Sequence, residues 1–326
     1  MAVAAEHWLS LMETEYLRDF IPSGGSAVKF IVGEQPDLVA VRDRLAEAAA
    51  RQGLLYVSAD AAAIKLHMIQ DLFFAVARCV NWDATAQRLV EGMFSRQGYE
   101  WPNPGEAVPI HQIASTNRID VTLLRRDFRQ WLTGEVMREN SMAQDFRVAM
   151  MQLCLRRLAP PDDAQAGVVE PVVEWLRGEL RAIGILRPFQ INNKITRHNA
   201  RAMLRSLCCW LRLCGVPGIV FVLDVRQLSR TGAAAGDGLR YSPAAVMDAF
   251  EVLRQVIDDA DRFDGLFLAV LTDEAFVDND RNPKRAVQCY TALHMRIWPD
   301  VHALRRDNPL APLVYLGSEN APGGAQ

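Results

Sequence analysis

The sequence predicts an α/β fold: a parallel sheet layered between helices, carrying a large helical insertion. Three observations predict it. Gly218–Asp224 reads Gly-Ile-Val-Phe-Val-Leu-Asp, five apolar residues bounded by Pro217-Gly218 and an acid. Such a run fits a strand buried on both faces of a parallel sheet. Gly265–Leu271, Gly-Leu-Phe-Leu-Ala-Val-Leu, is a second run of the same kind. Helical patterns separate these from two earlier strand-like runs, Ala27–Val32 and Gly53–Ser58.

In chain order, residues 6–21 repeat Trp8, Leu9, Met12, Tyr16, Leu17 and Phe20 at helical spacing. Pro22 to Ser26 breaks the pattern before the first strand, which ends at Gly33. A helix is expected from Leu38 to Arg51, with Asp37 suited to its N-cap. After Gly53–Ser58, a helical pattern runs from Asp60 to Val80 through Ile64, Met68, Leu72, Phe73 and Val76. From there to about residue 215 the pattern is mainly helical, with loops at Trp101–Gly105 and Pro160–Asp163. Val121–Arg157 reads as two helices with a break near Gly134, and Pro171–Ile185 and Thr196–Cys214 as two more. The last delivers the chain to Ile219–Asp224, the expected central strand. A loop with Gly232, Gly236 and Gly238 follows and is expected to be mobile. Ser242-Pro243 opens a helix to Asp261, an N-cap followed by proline at the first helical position. The fourth strand ends at Thr272-Asp273-Glu274. Tyr290–Arg305 then reads as a helix, Leu313–Leu316 as a short strand, and the tail from Gly317 as disordered. The expected division is a first part of the α/β core over 1–80, a helical insertion or lid over 81–214, a second core part over 215–316, and a tail over 317–326.

Composition narrows the function classes. The 326 residues are half apolar, enough for one large core or two smaller ones. Net charge is −3, so no global basic field draws nucleic acid. The six cysteines form no CxxC pair, and Cys208-Cys209 sit in an apolar run as buried thiols. The His residues show no metal spacing such as HExxH, and Asp278-Asn279-Asp280 lacks the other ligands of a calcium loop. Neither a signal peptide nor an apolar run of about 18 residues is seen, so a soluble cytoplasmic protein is expected.

The chemistry is sought at the carboxyl ends of the strands, where open α/β sheets bind ligands. Asp224 stands there; the alternative is that it caps the next segment. After the first strand, a P-loop protein places a glycine-rich loop whose N–H groups cradle phosphate, then Lys and Ser/Thr. Here the residues are Gly33-Glu34-Gln35-Pro36-Asp37-Leu38. The second glycine, the lysine and the hydroxyl are missing. Pro36 removes a donor, and Asp37 adds negative charge.

Four stretches resemble the P-loop ATP-binding proteins of BREX-type phage-defence systems, which are similar to AAA+ proteins of the origin-recognition kind. They are Glu15-Tyr16-Leu17 with Gly24 to Phe30; Trp175-Leu176-Arg177-Gly178-Glu179; Gly215 to Asp224; and Gly265 to Thr272 followed by Tyr290, Leu293, Arg296 and Ile297. In order, they span nearly the whole chain. The resemblance implies a P-loop NTPase, AAA+-like, three-layer core. It implies a nucleotide site at Gly33, Asp224 (the Walker B acid) and Thr272 (a γ-phosphate sensor). It also implies a subunit interface role for Arg296, for which a surface salt bridge is the simpler reading. Active members carry a full Walker A and pair the Walker B Asp with Glu; here the next residue is Val225. No catalytic residue is therefore assigned, no metal site is expected, and ATP with Mg²⁺ is at most weakly held. The expected function is a non-catalytic, pseudo-ATPase subunit of a multi-protein anti-phage defence complex, a scaffold or regulator of an active ATPase or a DNA-acting protein. The alternatives are a divergent ATPase completed in trans and a DNA-binding adaptor. For the last, Arg197, Arg201 and Arg205, four residues apart, would line one helix face. Arg125-Arg126 with Arg129, and Arg156-Arg157, are the other basic clusters.

Overall fold

The computed structural model describes residues 3–159, 169–298 and 308–317. Among these residues, five strands run β1 Ala27–Val32, β2 Leu55–Asp60, β3 Ile219–Asp224, β4 Leu266–Thr272 and β5 Leu313–Tyr315. The helices, in chain order, are α1 Ala5–Met12, α2 Gln35–Gln52, α3 Ile69–Cys79, α4 Trp82–Arg96, α5 Ile110–Thr116, α6 Val121–Leu132, α7 Gln144–Arg156, α8 Val169–Arg177, α9 Ala200–Leu213, α10 Pro243–Asp258, α11 Glu274–Val277 and α12 Thr291–Ile297. Two compact units result, residues 1–76 with 217–326, and residues 77–216.

The first unit holds the sheet. Its order is β2-β3-β4-β1-β5 and each pairing between these strands is parallel. Both apolar runs of the sequence are fully buried along their length. A strand buried on both faces needs helices on both faces. On one face, Ile31, Val220, Val222, Phe267, Ala269 and Leu271 share a core with Trp8, Met12, Leu38, Val41 and Leu45 of α1 and α2. On the other, Phe30 stacks on Phe276 at 6.0 Å, and Phe276 meets Phe250 of α10 edge-on at 5.6 Å. The expected three layers are present. The central strand, however, is β4. β3 lies one place out, between β2 and β4, because β4 takes the position beside β1. Burial alone does not rank two interior strands.

Two glycines bring β3 and β4 together at their amino ends. A Cβ at Gly218 would lie 2.7 Å from both the Gly265 carbonyl oxygen and Ile21 Cγ2. Gly265 has φ +80°, a conformation that side chains disfavour.

Several boundaries differ from expectation for local reasons. α1 stops at Met12 and a π-helical turn carries the chain through Glu13–Leu17. α2 starts at Gln35 rather than Leu38, with Pro36 in its first turn, and Asp37 is inside it rather than capping it. Residues 61–68 are turns, and α3 begins only at Ile69. Asp60 Oδ1 accepts from the Ala62 amide at 2.7 Å, closing a turn instead of a helix. α8 ends at Arg177, where Gly178 takes φ +75°, and a 3₁₀ stretch at Ile183–Phe189 replaces the rest of the expected helix. α12 ends at Ile297; residues 299–307 of that expected helix, the Pro160–Asp163 loop and the tail beyond 317 lie outside the described residues.

The second unit, 77–216, is helical. Its core is aromatic: Phe94 of α4 stacks on Phe128 of α6 at 5.5 Å and meets Trp131 edge-on at 5.6 Å. Val121–Arg157 divides as expected, α6 and α7 being separated by a π-helical turn at Thr133–Met137.

Candidate functional site at the carboxyl ends of the strands

Gly33, Asp224 and Thr272 arrive at one edge of the sheet because β1, β3 and β4 all end there. Val32 is in register with Thr272, and Asp224 with Leu271 and Asp60. The Gly33 amide donates to the Thr272 carbonyl at 3.2 Å. Sequence reasoning thus brings together three residues that the fold does place side by side.

The connection from β1 to α2 is only Gly33-Glu34, since β1 ends at Val32 and α2 begins at Gln35. Leu38, from the first turn, packs back on the strand end; a Cβ at Gly33 would lie 3.3 Å from Leu38 Cδ2. A phosphate-cradling loop needs several successive backbone N–H groups curled around open space. Two residues pressed on leucine do not form one.

Asp224 is 2% exposed and fully engaged. Arg226 Nε lies 3.0 and 3.2 Å from its two carboxylate oxygens, and Nη2 lies 2.6 Å from Oδ2. Arg42, on α2, adds Nη2 at 3.3 Å. The Arg226 amide also donates to Oδ1 at 3.1 Å. The remaining arm of Arg226, Nη1, donates to Gln35 Oε1 at the start of α2. One guanidinium therefore links the end of β3 to the helix after β1. Its pKa is raised, first by the hydrogen bond to Asp224. Burial pushes the neighbouring Asp273 carboxyl up, opposed by Arg230 and by the Phe276 amide. Thr272 is fully buried and, among the described residues, its hydroxyl finds no partner. Val225, at the position where the resemblance led to the expectation of a base, is also fully buried.

The loop after β3, expected to be mobile, is tied down from three sides. Gln227 Nε2 donates to the carbonyls of Ala235 at 3.0 Å and Leu239 at 2.9 Å. Arg285, 6% exposed, donates through Nη1 to Leu228 O at 2.8 Å and through Nη2 to Tyr241 O. Burial lowers its pKa. The Tyr241 hydroxyl accepts from the Leu66 amide at 3.1 Å and sits 2.8 and 2.6 Å from the carbonyls of Ala61 and Ile64. Glycine content suggested freedom; in the structure, buried side chains satisfy several of the loop's carbonyls, while 230–234 are exposed.

The other candidates lie elsewhere. Arg296 of α12 pairs with Asp258 of α10 through Nε and, at 3.0 Å, through Nη2. Arg197 lies in a turn before α9, so it does not share a helix face with Arg201 and Arg205; the expected three-residue stripe is not formed. Arg226, Arg42 and Gln35 were not legible as site residues. The one available signal was an arginine two places after a strand-ending acid. Among the described residues, no group of three or more His, Cys, Asp or Glu could hold a metal ion, and no helix is long and apolar enough to cross a membrane.

Residues 114–320 match the BREX system ATP-binding protein BrxC/D family. The chain belongs to that family. Membership implies a role in a phage-defence system and, with it, other subunits of that system. The region this BREX family member shares contains Asp224 and Thr272 but neither Gly33 nor β1 and β2. No curated protein and no solved structure matches the chain.

Proposed function

We propose that this BREX family member is a pseudo-ATPase: a P-loop-type, AAA+-like core that no longer turns over ATP and serves the defence complex as a scaffold or regulator of an active partner. The observation that carries this is the Arg226–Asp224–Arg42 cluster. In a working NTPase the Walker B acid reaches Mg²⁺, which neutralises phosphate charge. Here two guanidiniums already saturate that carboxylate. The two-residue connection after β1 and the buried Val225 point the same way, since cradle, metal acid and base are each compromised by a different residue. The residues present do not fit Mg-ATP, although the family is described as ATP-binding. Loss of any one of these parts costs orders of magnitude in phosphoryl transfer, where positioning and charge supply nearly all of the catalysis.

Calorimetry and a phosphate-release assay with Mg-ATP test this on the isolated protein. Background turnover that Asp224→Ala leaves unchanged is expected. Turnover abolished by Asp224→Ala sinks the proposal. One observation favours a second reading, a divergent site completed by a neighbouring subunit: the Thr272 hydroxyl is buried without a partner among the described residues. Nucleotide binding that appears only when the neighbouring subunit is added, and is lost in Thr272→Val, selects it.

A further inference from the structure

The helical unit carries a feature that the nucleotide-site reading leaves unused. α5 and α6 are joined by four residues, Asn117–Asp120, and pack against each other. The turn is closed by its own backbone: the Asn117 amide donates to Ile113 O at 3.1 Å, Arg118 to Ser115 O at 3.2 Å, and Ile119 to Ala114 O at 3.0 Å. Arg118 holds φ +55°, a left-handed conformation more usual for glycine. Asp120 Oδ1 caps α6 by accepting from the Leu123 amide at 2.9 Å. Ala114 is fully buried on α5, and Leu124, Phe128 and Leu132 turn inward from α6, where Phe128 stacks on α4. Two packed helices joined by a four-residue turn, the second stacked on α4, supply the elements from which a helix-turn-helix presents its second helix to DNA.

The outward face of α6 fits that role. Thr122, Leu123, Arg125, Arg126, Arg129 and Gln130 are all exposed. Leu123 is 43% exposed in the first turn, where a leucine gains nothing from water. The acid on this stretch, Asp127, pairs with Arg126 at 3.2 Å; among the described residues neither Arg125 nor Arg129 pairs with an acid. Residues 77–216 carry 19 Arg and Lys against 14 Asp and Glu, a net charge of +5 in a chain of net −3. A basic unit within an acidic chain is an electrostatic footprint for a polyanion.

We propose that α6 is a recognition helix and that this unit binds double-stranded DNA in the major groove. Arg125, Arg126 and Arg129 would meet phosphates, and Thr122 and Leu123 would meet base edges and thymine methyls. A duplex is favoured over a single strand because the exposed face of α6 offers no aromatic side chain for base stacking. The groove, about 12 Å wide, admits a helix.

Fluorescence anisotropy of the full chain with a labelled 30-base-pair duplex, titrated with salt, tests this. Binding at low salt is expected, with log K falling linearly against log salt. R125A/R126A/R129A should weaken it at least tenfold and flatten the slope by about 2 to 3, roughly 0.9 for each phosphate no longer neutralised. R197A/R205A should leave both unchanged. If the triple variant melts early, R125Q/R129Q is read in its place. Absence of duplex binding at low salt overturns the proposal. So does an equal loss in R197A/R205A, or tighter binding to single-stranded DNA or polyglutamate than to duplex.

Discussion

Arg226 Nη2 stands 2.6 Å from Asp224 Oδ2, with 12% and 2% of the two side chains exposed. A pair so withdrawn from water is held by its geometry, because each charge has lost hydration that the other mainly restores, with Arg42 adding to Asp224 and Gln35 to Arg226. Its consequences are asymmetric. Arg226→Ala leaves a buried carboxylate with only Arg42, itself partly solvated, so a loss of about 3 kcal/mol is expected in urea unfolding. Asp224→Asn keeps hydrogen-bonding capacity and frees a guanidinium that retains some access to water, so its loss should be smaller. Equal losses from the two changes would contradict this account.

An acid placed after Asp224 should not bring about hydrolysis. Val225 is fully buried, and its amide donates to Leu271 O at 2.9 Å in continuation of the sheet. Val225→Glu would put a carboxylate into that core rather than beside a water. The expected result is a lower melting temperature and phosphate release still at background.

Tyr241 ties the turn after β2 to the loop after β3 through one buried hydroxyl. Tyr241→Phe removes that oxygen and leaves the Leu66 amide with its bond to Ile64 O at 3.0 Å. A cost of about 0.5 to 1.5 kcal/mol is expected. Limited proteolysis should then cut first within 226–241; an unchanged digestion pattern would argue that Gln227 and Arg285 hold the loop without it.

Acid should loosen the α10–α12 contact. The Arg254 guanidinium, followed by Tyr290 and Gln255, holds the Glu251 carboxyl down to about 2 from its usual 4.5. A lowered folded-state pKa contributes stability that is present above the unfolded value and lost as pH falls through the folded one. The window is therefore about pH 4.5 down to about 2. Melting temperature against pH should fall less steeply across that window in Glu251→Gln than in the unaltered chain.

Much of the architecture is readable before folding. Ile219–Asp224 and Leu266–Thr272 announce themselves because a strand buried on both faces must be apolar throughout, and β1 was bounded to the residue by Pro22–Ser26 and Gly33. Gly33, Asp224 and Thr272 could be named as neighbours because parallel strands bring their carboxyl ends to one edge. What lies between them could not. Arg226 reaches Asp224 from two places on, but Arg42 is an ordinary arginine in the linear chain, and only the packing of α2 beside β3 brings its charge to that carboxylate.

The sequence by itself determined the α/β class, the four longer strands and the lack of a glycine-rich loop with Lys and Ser/Thr after the first strand, since each depends on local composition or on residues that are not there. The tertiary structure alone decided that β4 is central, that the glycine-rich loop is anchored, and that Asp224 faces arginine. Strand order, the loop's anchors and the Arg42 contact to Asp224 depend on which distant side chains meet, and periodicity along a chain carries no record of partners across it.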